Sequence, residues 1–371
     1  MPDSLSSTLP KTSDFIQHGI EHGLHRGMQV YVSRHGEVVA NSAVGENEPG
    51  QPLTIETLSL WLSSGKPITA VAVLQQIAKR KLTLDQLVSS IIPEFAVKGK
   101  NAVTIQHLLT HTVGLKPVST GWPHKSWDEI IARICSASLR INGIPGEKAG
   151  YDPARSWFIL GEIIRRLDGR PVHQYVREEI LEPTGMVDCW MAIPPQLHAA
   201  YGNRIGVMSH LIDGELQPTH SHEQAVCAAP SPGGSMRGPV AQLGKFYEML
   251  LRGGRNESGV RILSQNLVEL MTSRVRAGMY DETFQHQVDF GLGLIMNSNR
   301  YGAETVPYGF GRHASDESFG HGGAQSSIGF ADPQHNLVVA AVANGCPGED
   351  LHNARFRELN SAIYEDLNLK Q

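Results

Sequence analysis

The sequence predicts an α+β fold in which one antiparallel sheet, assembled from both ends of the chain and covered by helices, joins a mostly helical region. Three observations predict it. β-Hairpin signals stand near both ends of the 371 residues, helical periodicity fills the middle, and an apolar run opened by Lys66-Pro67 has the character of a buried helix. The expected division places 1–85 and 240–371 in the sheet region and 86–239 in the helical region.

Residues 14 to 25 have helical spacing. After them, Met28-Gln29-Val30-Tyr31-Val32-Ser33 and Val38 to Val44 flank Arg34-His35-Gly36-Glu37, a strand, turn and strand. The run Ile68 to Ala78 is apolar except for Thr69, Gln75 and Gln76, which suits a helix buried on most sides. Pro67 fits near its start, where a missing N–H has no partner to lose. Ser126-Trp127-Asp128-Glu129 is a capping box, and Trp157, Leu160, Gly161 and Ile164 recur at i, i+3, i+4 and i+7 until Asp168-Gly169. Val172, Tyr175, Val176 and Ile180 form a further amphipathic set, expected to close at Glu182-Pro183. Residues 194 to 240 are rich in Gly, Pro and His, which predicts long loops around a site. The second hairpin joins Ser326 to Phe330 with Leu337 to Val342 across Asp332-Pro333-Gln334-His335-Asn336, and a helix over 351–367 follows.

Composition narrows the function. A 40% hydrophobic, 19% charged chain buries a large core, and a net charge of −5 without any basic run argues against nucleic-acid or anionic-membrane partners. Cys135, Cys189, Cys227 and Cys346 are scattered without Cys-x-x-Cys spacing, so reduced thiols are expected rather than zinc or a disulfide framework. Met1-Pro2-Asp3-Ser4-Leu5-Ser6 lacks a charged start followed by an apolar stretch, and no apolar run reaches the ~18 residues of a membrane span. A cytoplasmic protein without cofactor or metal is the expectation; oligomeric state is not legible.

Ser63 and Lys66 carry the chemical signal. A serine hydroxyl needs a base within hydrogen-bond reach, and a lysine three residues later on one helix face supplies it. At the head of a buried helix that lysine is expected to be half buried, its pKa lowered from ~10.4 toward proton-accepting range. Ser63 stands where free N–H groups and the helix dipole favour developing negative charge. Tyr151, in the turn Pro145 to Pro153, sits where a nearby lysine would favour the phenolate, and Phe319-Gly320-His321-Gly322-Gly323-Ala324 opens the second hairpin with glycines that admit a ligand to an edge backbone.

With these segments in order, the chain resembles the superfamily of serine β-lactamases and penicillin-binding proteins, in the class C-like branch that includes family VIII carboxylesterases. Further matching segments are Leu108 to Leu115, Leu160 to Ile164, Glu182 to Met186, Pro232 to Met236, Phe290 to Gly293 and His321-Gly322-Gly323. The resemblance implies a β-lactamase-like fold, acylation of Ser63, proton transfer shared by Lys66 and Tyr151, and an oxyanion hole from the backbone N–H groups of Ser63 and Ala324. It also places the active site between the sheet region and the helical region, with His321, Gly322 and Gly323 against the substrate.

Two departures bear on substrate. The family's Tyr-x-Asn is Tyr151-Asp152-Pro153 here, and its Lys-Thr-Gly is His321-Gly322-Gly323, which replaces a fixed cation with an imidazole mostly neutral at pH 7. Both losses favour a small-molecule carboxylic ester over a β-lactam or D-alanyl peptide. A β-lactamase, a D-alanyl peptidase or other amide hydrolase, or an acyltransferase of the same fold is the alternative, and a non-catalytic binding protein is the alternative from another class. His18, His22 and His25 are expected to share an exposed face of the first helix rather than bind metal, His220-Ser221-His222-Glu223 lacks zincin spacing, and Gly233-Gly234-Ser235-Met236-Arg237 fails the Gly-x-Ser-x-Gly elbow at Arg237. Trp61, Trp122 and Trp157 are core or acyl-pocket residues, which sequence does not separate.

Overall fold

The computed structural model describes residues 5–140 and 143–369. Residues 1–4, at the start inspected for a leader, lie outside them. Seven strands form the main sheet: β1 (Gly27–Arg34), β2 (Glu37–Glu48), β3 (Gln51–Pro52), β4 (Ile295–Met296), β5 (Phe319–Gly323), β6 (Ser327–Asp332) and β7 (Leu337–Ala343). Their spatial order is β4-β5-β6-β7-β1-β2-β3. All the pairings are antiparallel, and both expected hairpins form. The two ends of the chain meet at the middle of the sheet, where β1 pairs with β7 in the register Val30↔Ala341.

Alternation along the strands divides the core into two layers, because successive side chains point to opposite faces. Met28, Val30 and Val32 of β1, with Leu337, Val339, Ala341 and Ala343 of β7, pack with Ile16 of the Pro10–Glu21 helix and Phe356, Leu359, Ile363 and Tyr364 of the Glu349–Asp366 helix. Tyr31, Val338, Ala340 and Val342 face the other way, into a core shared with Leu243, Phe246 and Tyr247 of the Val240–Leu251 helix. That second core continues into the helical region through Ile68 to Leu74, Trp157 and Ile159 to Ile164. Both faces of the central strands are covered, so β7 is apolar throughout rather than alternating.

The helices follow their local signals with three corrections. The first helix spans Pro10–Glu21 rather than 14–25, since Pro10 occupies its first turn and Gly23 is left-handed beyond its end. His25 is therefore off the helix and buried, 3.3 Å from Arg355, while the His18 and His22 rings lie tilted with centroids 3.8 Å apart. The Val172–Val176 helix does not stop at Glu182-Pro183: it passes through a π turn, Arg177–Leu181, into Glu182–Thr184 and ends at left-handed Gly185. The wider turn precedes Pro183 and accommodates a residue with no N–H to give. Between 194 and 240 the chain forms short helices Pro195–Tyr201 and Gln224–Ala228 and the hairpin Ser209–Ile212 with Glu215–Pro218. From this stretch, Pro232 and Gly233 are the residues whose carbonyls bond the Ser63-Lys66 helix. Ser126 and Glu129 form their capping box over Trp127–Ser136, and Gly169 ends Arg155–Asp168. All four cysteines are buried and free, and no helix among the described residues is long and apolar enough to cross a membrane.

Candidate active site

Ser63 lies on a tight turn between sheet and helix. Leu62 takes φ 50°, a left-handed conformation unusual for leucine, and the 3-10 turn Leu62–Gly65 leads into the Lys66–Ala78 helix with Pro67 in its first turn. Bonds from distant strands hold the turn. Ser64 Oγ donates to the His321 carbonyl at 3.0 Å and lies 2.9 Å from Ser327 Oγ, which donates to the Trp61 carbonyl at 2.5 Å. Only glycine fits at 323, where a Cβ would stand 2.2 Å from the Trp61 carbonyl oxygen and from Ser327 Oγ.

Lys66 Nζ has three neighbours at hydrogen-bond distance: Ser63 Oγ at 2.8 Å, the Pro153 carbonyl at 2.8 Å and the Gly233 carbonyl at 2.5 Å. The residue is fully buried rather than half buried, with 0% exposure. Desolvation pulls its pKa down to about 7 against the opposing charge of Asp152. In the neutral amine, two N–H bonds satisfy the two carbonyls and the lone pair is left for the Ser63 hydroxyl. The geometry thus selects which neighbour can lose a proton to Lys66.

Tyr151 O–H meets Ser63 Oγ from another side at 2.9 Å. Its environment reverses the sequence expectation of a phenolate. Burial is the largest cause holding the phenol protonated, and the charges of Asp152, Asp281 and Glu349 add to it, while the bond to Ser63 opposes. The residue is fixed by groups that sequence reasoning missed. Its N–H donates to Asp281 Oδ1 at 3.0 Å, its carbonyl accepts from Thr283 Oγ1 at 2.9 Å, and its ring stacks on Phe284 at 4.7 Å. Asp281 is in turn a buried ion-pair partner of Arg276 at 3.1 Å. Asp152 caps the following helix through Ala154, Arg155 and Ser156 N–H groups. That leaves the Pro153 carbonyl, rather than a side-chain amide, facing Lys66.

His321 is buried on β5 and lines the same cavity as Ser63 and Tyr151. Its Nδ1 donates to the Gly322 carbonyl at 2.7 Å, so Nε2 carries the lone pair, and that nitrogen has no partner among the described residues. Burial and the charge of Lys66 push its pKa down to about 3, which keeps the ring neutral at pH 7. The cavity holds about 410 Å³ and is also lined by Pro153, Phe284, Tyr308, Gly322 and Ala324. Trp61 and Trp157 are fully buried in the core beside the site and do not line the cavity, and Trp122 packs against that core. No group of three or more His, Cys, Asp or Glu among the described residues is placed to hold a metal ion.

A family model described as Beta-lactamase matches residues 12–362. The chain belongs to the beta-lactamase family. It is a serine hydrolase of that fold. Esterase EstB of Burkholderia gladioli is 31% identical to this beta-lactamase-family protein over 348 residues, 86% of each chain. Among solved structures, EstCE1, described as a hydrolase with promiscuous acyltransferase activity, superposes with TM-score 0.81 at 22% identity over 97% of this chain and 99% of that one. A family VIII carboxylesterase gives TM-score 0.77 at 24% identity over 97% of each.

Proposed function

We propose that the protein hydrolyses small-molecule carboxylic esters through an acyl group carried on Ser63. The observation that carries this reading is the position of Ser63 Oγ between Lys66 Nζ and Tyr151 O–H, at 2.8 and 2.9 Å. Neutral Lys66 accepts the Ser63 proton as Oγ forms its bond to the substrate carbonyl carbon. The backbone N–H groups of Ser63 and of Ala324, both at the cavity wall, receive the developing oxyanion; loss of one such donor typically slows a reaction roughly 100- to 1000-fold.

Collapse of the tetrahedral species breaks the bond to the alcohol oxygen, which takes back a proton from the Lys66-Tyr151 pair. Tyr151 is the member that lines the cavity, so its O–H is the donor facing the leaving group. Water then attacks the acyl carbon and gives its proton to the Tyr151 phenolate, and Ser63 Oγ takes the proton held on Lys66 as its bond to the acyl carbon breaks and the acid departs. The reading favours an ester over an anionic β-lactam or peptide because, among the described residues, no lysine or arginine lines the cavity, and His321 is neutral.

A fluorophosphonate probe and short-chain p-nitrophenyl esters test the reading with wild-type protein and Ser63→Ala. The expected outcome is one adduct by intact mass and ester turnover, both lost in the variant. Folded wild-type protein that takes no adduct would put a non-catalytic binding role in front.

A further inference from the structure

Two features of the cavity extend beyond the groups that move protons. One is an aromatic wall that begins at Tyr151: Phe284 stacks on it at 4.7 Å, Tyr308 meets Phe284 at 5.5 Å, and His352 meets Tyr308 at 4.9 Å. Tyr308 lies so close to β5 that a Cβ at Gly322 would come within 2.3 Å of its ring. The other is the sign of the charge. Among the described residues, Glu349 and Asp350 are the carboxylates lining the cavity, and neither lysine nor arginine joins them.

Glu349 is fixed to the wall, since its Oε2 accepts the Tyr308 O–H at 2.7 Å. Its charge also reaches the reacting centre, where it helps keep the Tyr151 phenol protonated. First-turn acids do complement a helix dipole, and Glu349 and Asp350 open the Glu349–Asp366 helix. That role alone requires neither the bond to Tyr308 nor a place in the cavity.

Aromatic faces beside a carboxylate are the chemistry that binds an organic ammonium group, through the ring quadrupole and a charge partner. The wall starts at Tyr151, the donor facing the leaving group, which places it beside the alcohol portion of the ester. Resting on the ester-hydrolase reading, we propose that Glu349 and the Phe284-Tyr308 wall select esters whose alcohol portion carries a positively charged ammonium group. An exposed carboxylate and a cation–π contact together correspond to roughly three- to tenfold in selectivity.

The test compares kcat/KM for 2-(trimethylammonio)ethyl acetate and its uncharged isostere 3,3-dimethylbutyl acetate by pH-stat, in wild type, Glu349→Gln and Glu349→Lys. The cationic ester should be preferred three- to tenfold by wild type, the preference should vanish in Glu349→Gln, and Glu349→Lys should favour the neutral ester. Equal turnover of both esters by wild type, or a preference that survives Glu349→Gln, overturns the proposal. Protection of Ser63 from the fluorophosphonate by choline or by 3,3-dimethylbutanol gives a readout independent of turnover. Stronger protection by choline, lost in Glu349→Gln, upholds cation selection even if neither acetate is hydrolysed, and in that case the ester reading is what fails. Equal protection by the two alcohols overturns cation selection.

Discussion

The two sides of Ser63 are built from different materials. On the Lys66 side everything is dry, and the partners are backbone carbonyls, those of Pro153 and Gly233, which no substitution short of a change in fold removes. On the cavity side the groups are side chains on loops and a helix start: Phe284, Tyr308 and Glu349. The difference teaches where each property is stored. Proton transfer depends on a desolvated amine whose surroundings must not move, so it is tied to backbone, whereas substrate choice rests on side chains that can change without disturbing it.

Replacements that strike the dry side should therefore cost most. Lys66→Met removes the proton acceptor and is expected to lower kcat for a p-nitrophenyl ester by about 10²- to 10⁴-fold, the usual range for a general base. A loss under tenfold, measured alongside an unfolding midpoint showing the variant folded, would break the contrast between the two sides. Tyr151→Phe keeps the stack on Phe284 but deletes the donor to Ser63 Oγ. It should slow turnover about 100-fold, with a greater loss for poor leaving groups than for p-nitrophenolate, because only the former need a proton as they depart.

The pH profile sharpens the assignment of roles. Lys66 must be neutral to act, so kcat/KM should fall about tenfold for each unit below its pKa of about 7 and level off above it. The Tyr151 phenol is held protonated well beyond its ordinary range, so no alkaline fall is expected below pH ~10. A bell with its upper limb near pH 8 would reassign the acid. The smallest effect belongs to the cavity side: Phe284→Leu loosens Tyr151 without touching Ser63 or Lys66, and should lower kcat only about three- to tenfold while leaving the pH midpoint in place. A shifted midpoint would show that the two sides are not separable.

Features set by neighbours in sequence were legible. The hairpins of β1 with β2 and β6 with β7, the capping box at Ser126 and the Ser63-Lys66 spacing all rest on contacts a few residues apart. What was missed is non-local. Lys66 is fully buried because of carbonyls 87 and 167 residues away, which no window around Pro67 contains. Tyr151 is fixed by Asp281, 130 residues on, in a stretch whose short β-pairs leave no clear periodicity. Its protonation departs from the sequence expectation for the same reason: the nearby lysine is visible in sequence, whereas the burial and the three carboxylate charges that outweigh it are not. A buried aspartate such as Asp281 gives one usable hint, an acid followed by Thr283 and Phe284 whose N–H groups it collects.

The pairing of β1 with β7 has a consequence for how the enzyme comes into being. Strand β1 leaves the ribosome about 300 residues ahead of the partner it lies against, and the turn bearing Ser63 waits for the Ser64 and Trp61 contacts supplied by His321 and Ser327. Until the last hairpin is made, the Ser63 turn lacks the contacts that shape it, because strand pairing this distant in sequence forms late. A chain truncated before Ser327 is therefore expected to take no fluorophosphonate adduct.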